Sequence, residues 1–186
     1  NRHIDEKVAN EIYDSMTDFA KYAFNKSHAA CYAVVAYQTA WLKYYYPLEF
    51  MAALMTSVID NPGKTSEYIR ACKSMGIKIL PPDINQSCEG FTVADGNIRF
   101  GLAAVRNVGR TFLKALEQER SANGAFESFE DFCERMYTND LNRRALEGLI
   151  QSGAFDSMGY KRSQLLRVYD SVLTAVTNAR RRNVEG

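Results

Sequence analysis

The stretch that decides the fold is FNKSHAACY, residues 24–32, which continues into the apolar run AVVAYQTAWL at residues 33–42. A short polar and cationic corner thus leads into a segment with no Gly or Pro before Pro47. The Asn and the Ser of the corner can each cap a helix by accepting hydrogen bonds from orphan backbone N–H groups. We predict a helix from about His28 to Tyr46. Because its middle is apolar on nearly every side, this helix should be central and buried.

The polar corner itself is a candidate anion site. Lys26 and His28 stand where the first turn of the helix offers free N–H donors and a positive dipole end, which suits a phosphate group. Tyr32 follows His28 by one turn and should share its face. The alternative is an ordinary helix start with solvated polar residues, and spacing alone leaves both interpretations open.

Composition sets limits on the function. With 186 residues the chain can bury a core as one domain or two, and its net charge of +1 means that any nucleic-acid contact must come from local patches. The four cysteines lie far apart and form no C-x-x-C pair, so we expect reduced thiols, without zinc or disulfides, in a cytoplasmic protein. No apolar run is long enough for a bilayer. Because the chain starts at Asn1 without Met, we expect it to be a piece of a larger protein.

Most of the chain has helical periodicity. Apolar residues spaced three and four apart predict an amphipathic helix over residues 4–22, and Pro and Gly signals delimit two shorter helices at 48–58 and 65–75. The periodicity changes only at residues 91–100, where two short β-like runs flank an Asp-Gly pair, a strong signal for a hairpin turn. We therefore predict a mainly α fold with one short β-hairpin.

Residues 102–116 have a helix-hairpin-helix pattern, in which a tight turn at 106–109 precedes a new helix. Such a hairpin directs backbone N–H groups at a phosphate oxygen, and Gly109 would let the backbone approach DNA closely. Asn107 stands where the motif usually has its first Gly, and Asn is the residue other than Gly that best tolerates left-handed geometry. Arg106 and Arg110 flank the turn and supply charge. The alternative is a simple glycine turn between helices.

A second, degenerate hairpin is predicted further along the chain. Ser128 begins a helix through Met136, Asn142 caps another helix over residues 143–151, and Gly153 then turns the chain before a last helix from about Tyr160. The pair Arg143-Arg144 either faces the DNA backbone or is merely solvated.

Several stretches in the same order resemble one family. The segments 24–42, 46–54, 76–85, 98–105 and 145–156 are similar to the bacterial replicative DNA polymerases of the C family, the DNA polymerase III alpha subunits. The resemblance implies the later part of a helical fingers domain over residues 1–88, a β-hairpin connection over 89–101, and a tandem helix-hairpin-helix module over 102–186.

The resemblance also implies function. In the intact enzyme the work would be DNA-templated DNA synthesis, with the pocket for the incoming nucleotide lined by Phe24, Lys26, Ser27, His28 and Tyr32. The duplex DNA contact would involve Arg106, Asn107, Val108, Gly109, Arg110, Arg143, Arg144 and Gly153. Helix-hairpin-helix contacts of this kind carry no base information, so binding should be independent of sequence and sensitive to salt.

The catalytic groups are expected elsewhere. Nucleotide addition needs carboxylates that hold two divalent metals, and the chain has no Asp-x-Asp pair or comparable cluster. The resemblance places those aspartates and their Mg²⁺ in the palm, before Asn1, so the chain alone should have no catalytic residues and no activity. The implied partners are primer-template DNA, deoxynucleoside triphosphates, the sliding clamp, whose binding motif would follow just after Gly186, and other replisome subunits. The rival hypothesis is a non-enzymatic helix-hairpin-helix module that binds DNA or another protein.

Overall fold

The computed structural model describes residues 5–21, 26–137 and 141–184. Within them the fold is mainly α, as predicted, with eight α-helices and one small sheet. The chain divides into two compact units, Asn1–Tyr45 and Tyr46–Gly186. The sequence instead suggested domain limits at residues 88 and 101, and those limits stay a prediction.

The first unit contains two helices, α1 (Glu6–Lys21) and α2 (Lys26–Tyr45). The predicted amphipathic helix is confirmed as α1, with an exposed apolar face that includes Val8, Ile12 and Phe19. The prediction that α2 is a buried central helix is wrong for this structure, because none of its residues is buried. Its sequence is apolar all round, but the described residues supply no layer that covers it. The spacing of apolar residues shows which faces of a helix favour an apolar environment, but it does not show which other element packs against those faces.

The second unit begins with α3 (Pro47–Ser57) and α4 (Pro62–Ser74), and each has Pro in its first turn. The Asn61 side chain caps α4 by accepting from the backbone N–H of Lys64 at 3.1 Å, so this helix starts three residues earlier than predicted. Gly76 follows α4 in left-handed geometry at φ +75°, as its position suggested.

The sheet has three strands, β1 (Ile79–Leu80), β2 (Thr92–Ala94) and β3 (Asn97–Arg99), in the order β1-β3-β2. The predicted hairpin is confirmed: β2 and β3 are antiparallel, and the turn between them has positive φ at Asp95 (50°) and Gly96 (69°). β1 pairs in parallel with β3 and was not predicted, since two residues give no measurable alternation.

The remaining helices form the second half of this unit. They are α5 (Arg110–Asn123), α6 (Phe129–Met136), α7 (Arg143–Ser152) and α8 (Arg162–Val184), with 3-10 turns at Leu102–Ala104 and Asp156–Met158. Both predicted caps are confirmed, because Ser128 accepts from Asp131 N–H at 3.0 Å and Asn142 from Ala145 N–H at 2.9 Å.

Two apolar clusters make up the core of the second unit. One joins α3 and α4 to the sheet around Met55 and Ile98, and the other joins α5 to α8 around Phe132. Phe100 and Ala103 pack against both clusters, so the segment that leads into the first helix-hairpin-helix turn is anchored from two sides. None of the helices formed by the described residues combines the length and the apolar character needed to span a bilayer.

Candidate nucleic-acid interface

The start of α2 presents the predicted polar corner to solvent. The helix already begins at Lys26, so Ser27 and His28 lie in its first turn, and all three side chains are exposed. The first turn contains no acidic residue. The rings of His28 and Tyr32 lie 4.4 Å apart between centroids, which confirms that they share a face. Phe24, the fifth residue predicted for this pocket, lies outside the described residues.

The first hairpin has the predicted backbone geometry with a shorter first arm. Instead of a full helix, a 3-10 turn at Leu102–Ala104 leads into it, and α5 follows directly. Asn107 has φ +66°, so this Asn does adopt the left-handed geometry predicted for it. Gly109, in contrast, is extended at φ −84° and ψ 151°, a conformation open to any residue, and a Cβ atom built there meets nothing within 4 Å. The fold therefore does not require glycine at this position.

Several N–H groups at the same place have no acceptor among the described residues. Gly109 precedes α5 as its N-cap and supplies no capping side chain. Within residues 5–21, 26–137 and 141–184, no carbonyl or side chain accepts from the backbone N–H of Asn107, Gly109, Arg110 or Thr111. Exposed N–H groups at a helix start, next to a left-handed residue, form a typical concave site for an anion.

The four arginines predicted to face DNA divide into two pairs. Arg110 forms ion pairs with Asp60 at 2.8 Å and with Glu89 at 2.6 Å. The hydrogen bond to Asp60 and the charges of both acids raise the pKa of Arg110 above its ordinary value, so the guanidinium stays charged but is electrically balanced. Arg143 is balanced in the same way by Asp170 at 2.9 Å.

Arg106 and Arg144 are placed differently. Both are exposed, and neither forms an ion pair or side-chain hydrogen bond with the part of the chain that the structure describes. They line one cleft of about 400 Å³ between the first hairpin and α7, together with Asn107, Glu147, Gly148 and Gln151. Gly148 makes this arrangement possible, because a Cβ atom there would collide with the backbone carbonyl of Arg106.

The second hairpin follows α7. Gly153 is buried and left-handed at φ +89°, as a C-cap should be. Its immediate neighbours in space are the side chains of Arg162 and Asp156. Gly153 is thus the turn residue that the sequence predicted, but it lies beneath an ion pair that the sequence did not predict.

Comparison with known proteins shows which proteins the chain is similar to. A helix-hairpin-helix motif model matches residues 76–165. The chain is 44% identical over 97% of its length to the DNA polymerase III subunit alpha of Saccharopolyspora erythraea, and 43% identical over 100% of its length to that of Thermus aquaticus. It is 46% identical over 92% of its length to the subunit of Escherichia coli K12. The chain is thus similar along nearly its whole length to a part of DNA polymerase III alpha subunits. It spans 15% of the length of each of these three relatives.

The family match includes both hairpins and the helices between them. Residues that shape the first hairpin but escaped sequence analysis are Asp60, Glu89 and Gly148, and at the second hairpin Asp156 and Arg162. Only Gly148 carried a usable signal, because a glycine inside a strongly predicted helix often marks a close backbone approach. The ion pairs join residues far apart in sequence and left no local pattern.

Metal ligands are not grouped in the described residues: no three of their His, Cys, Asp and Glu side chains come together. The four cysteines form no disulfide, and burial raises the pKa of the Cys133 thiol to about 12. The Cys133 thiol is therefore a poor candidate for chemistry at neutral pH.

Proposed function

We propose that the chain is a region of a replicative DNA-directed DNA polymerase that contacts the primer-template duplex through its first hairpin and the incoming deoxynucleoside triphosphate through the start of α2. The observation that carries the proposal is the first hairpin, where backbone N–H groups without acceptors surround a glycine with open space beside it. The similarity to DNA polymerase III alpha subunits along nearly the whole chain supports it.

The hairpin binds the duplex through a backbone phosphate. The N–H groups of residues 109–111 donate to its oxygens, and the positive end of the α5 dipole favours the negative charge. Gly109 leaves room for the sugar-phosphate chain, since no side chain projects there. Such contacts do not distinguish bases, so one site serves any sequence that the polymerase copies.

The start of α2 faces the nucleotide. Lys26 brings a cationic group and His28 an imidazole to the first turn of the helix, which suits a triphosphate, and Tyr32 offers a ring for the base on the face it shares with His28. Ser27 adds a hydroxyl in the same turn. Phe24 completes the proposed pocket by resemblance alone.

The chemical step belongs to residues outside this chain. Two-metal nucleotidyl transfer needs clustered carboxylates, and the described residues hold no cluster that fits Mg²⁺. We therefore assign the metal to the palm of the intact polymerase and expect no nucleotide incorporation from this chain alone. Replication of a bacterial chromosome would place the intact enzyme in the cytoplasm with a sliding clamp and other replisome subunits.

The duplex contact is tested by binding across a salt series. We compare the chain with Gly109→Val, whose Cβ atom would meet nothing within 4 Å, and with Gly63→Val, a control in the first turn of α4. Binding should weaken with salt, and Gly109→Val should bind much less tightly at every salt concentration with little change in melting temperature. Equal binding by Gly109→Val and wild type would refute the hairpin contact.

The nucleotide contact is tested in the full-length polymerase. Lys26→Ala and His28→Ala should slow nucleotide addition, whereas Lys43→Ala, in the last turn of the same helix, should not. Unchanged rates for the first two variants would favour the alternative, in which the region is a non-enzymatic DNA-binding module and the corner is only a helix start.

A further inference from the structure

The two hairpins of the module differ in how their backbone is satisfied. In the second hairpin the N–H of Gly153 donates to Ile150 O at 3.1 Å, and the N–H of Ala154 donates to Leu149 O at 3.0 Å. The N–H of Asp156 donates to Gly153 O at 3.1 Å. These three donors close the C-terminus of α7 and the following 3-10 turn and are not available to a phosphate, whereas the N–H groups of Arg162 and Ser163 at the start of α8 have no acceptor among the described residues.

Side chains also cover the second hairpin. Arg162 donates from its Nε to Asp156 Oδ1 at 3.0 Å and from Nη1 to the carbonyl of Gln151 at 3.1 Å. A Cβ atom at Gly153 would lie 2.6 Å from Arg162 Cζ and 2.7 Å from Asp156 Oδ2. The ion pair therefore occupies the space through which a DNA backbone would have to approach Gly153.

Two arginines without an ion-pair partner among the described residues line the cleft between the first hairpin and α7. Arg110 and Arg143 are balanced by carboxylates, whereas Arg106 and Arg144 meet in the cleft between the first hairpin and α7. The one acid in that cleft, Glu147, accepts a hydrogen bond from the Gln151 amide at 2.9 Å. Two arginines against one carboxylate leave the cleft with a net positive charge.

We propose that the module grips duplex DNA on one side only: the first hairpin binds one backbone phosphate, Arg106 and Arg144 hold a neighbouring phosphate in the cleft, and the second hairpin makes no phosphate contact. The inference rests on the duplex contact proposed above and specifies which surface makes it. Gly148 is a positioning residue in this arrangement, because it lets the Arg106 backbone lie against α7.

The test measures duplex affinity of the chain against salt for three single variants. Arg144→Gln removes a cleft charge, and Arg143→Gln removes its ion-paired neighbour on the same helix. Lys161→Gln removes an exposed charge at the second hairpin. Each phosphate contact contributes about −0.9 to the slope of log K against log salt, so Arg144→Gln, which removes one of the two charges on the cleft phosphate, should bind at least roughly threefold more weakly at 0.1 M salt and reduce the slope by up to about 0.9. The other two variants should match wild type.

The outcomes are distinguishable. A loss for Lys161→Gln as large as for Arg144→Gln would overturn the one-sided grip, and so would wild-type behaviour of Arg144→Gln. Equal losses for Arg143→Gln and Arg144→Gln would also overturn it, because they would indicate a diffuse charge effect in place of a cleft. No binding by wild type at any salt concentration would overturn the duplex contact itself and this inference with it.

Discussion

Gly101 offers a sharp test of how the first hairpin is held. It is buried just before the 3-10 turn, where residues 88–91 and 101–103 run side by side. Leu102 N–H donates to Cys88 O at 2.9 Å, and Ala103 N–H donates to Glu89 O at 3.0 Å. A Cβ atom at Gly101 would lie 2.6 Å from the carbonyl carbon of Gly90 and 2.8 Å from Phe91 N.

The expected cost of Gly101→Ala follows from these distances. Both clashing atoms belong to the backbone, so no side chain can rotate away, and the paired segments must separate by several tenths of an ångström. Overpacking of this kind costs about 1–3 kcal/mol. Gly101 has φ −76° and ψ 135°, which alanine adopts freely, so the entropic gain of about 0.4–1 kcal/mol offsets only part of the cost. We expect a net loss of about 1–2 kcal/mol in the free energy of unfolding.

Urea denaturation of Gly101→Ala beside Gly109→Ala measures this loss. Gly109 has nearly the same backbone conformation but open space at its Cβ position, so its variant should stay within about 0.5 kcal/mol of wild type. The pair thus separates steric cost from the general effect of replacing glycine. A Gly101→Ala protein as stable as wild type would refute the close packing between the two segments.

Three further stability predictions concern the helical core. Arg135→Met should lower the free energy of unfolding, measured in urea, by about 2–3 kcal/mol. It leaves two partly buried carboxylates without their ion-pair partner, Glu119 at 2.9 Å and Asp131 at 3.1 Å. Asn142→Ala removes the cap of α7 and should cost about 1 kcal/mol, seen as a lower melting temperature. Burial raises the pKa of the Cys133 thiol to about 12. The thiol therefore stays protonated in the folded chain at pH values above about 8.5, where it loses its proton in the unfolded chain. Stability should therefore fall toward pH 12 by up to about 1.4 kcal/mol per pH unit, and Cys133→Ala should reduce that slope.

Local signals in the sequence predicted the local structure well. The caps at Ser128 and Asn142, the Asp-Gly turn and the left-handed Asn107 all depend on residues within four positions of one another. The energetics of such features are short-range, so a single sequence contains them in full. The parallel pairing of β1 with β3 is the counterexample, since it joins residues about twenty positions apart through two-residue contacts.

The candidate interface shows the same limit more clearly. The sequence predicted a DNA contact for all four arginines, but it could not distinguish Arg106 and Arg144 from Arg110 and Arg143. That distinction depends on carboxylates brought in from elsewhere, such as Asp60, fifty positions before Arg110. The sequence thus shows which residues are charged, but only the fold shows which of these charges are paired with an opposite charge.

Asn107 and Gly109 differ in the property that glycine usually supplies to such a turn. Asn107 has the positive φ, and Gly109 has the open space beside its Cα atom. The turn needs a positive φ only at Asn107, where Asn accepts it at modest cost, and Gly109 has an ordinary conformation. If conformation were the reason for glycine at 109, the structure would show a left-handed residue there. Its extended backbone and open surroundings are compatible with the close approach of a phosphate that we propose, and its position as the N-cap of α5 also suits glycine. At Gly153, in contrast, the left-handed backbone is itself a reason for glycine, and the side chains of Arg162 and Asp156 lie next to it.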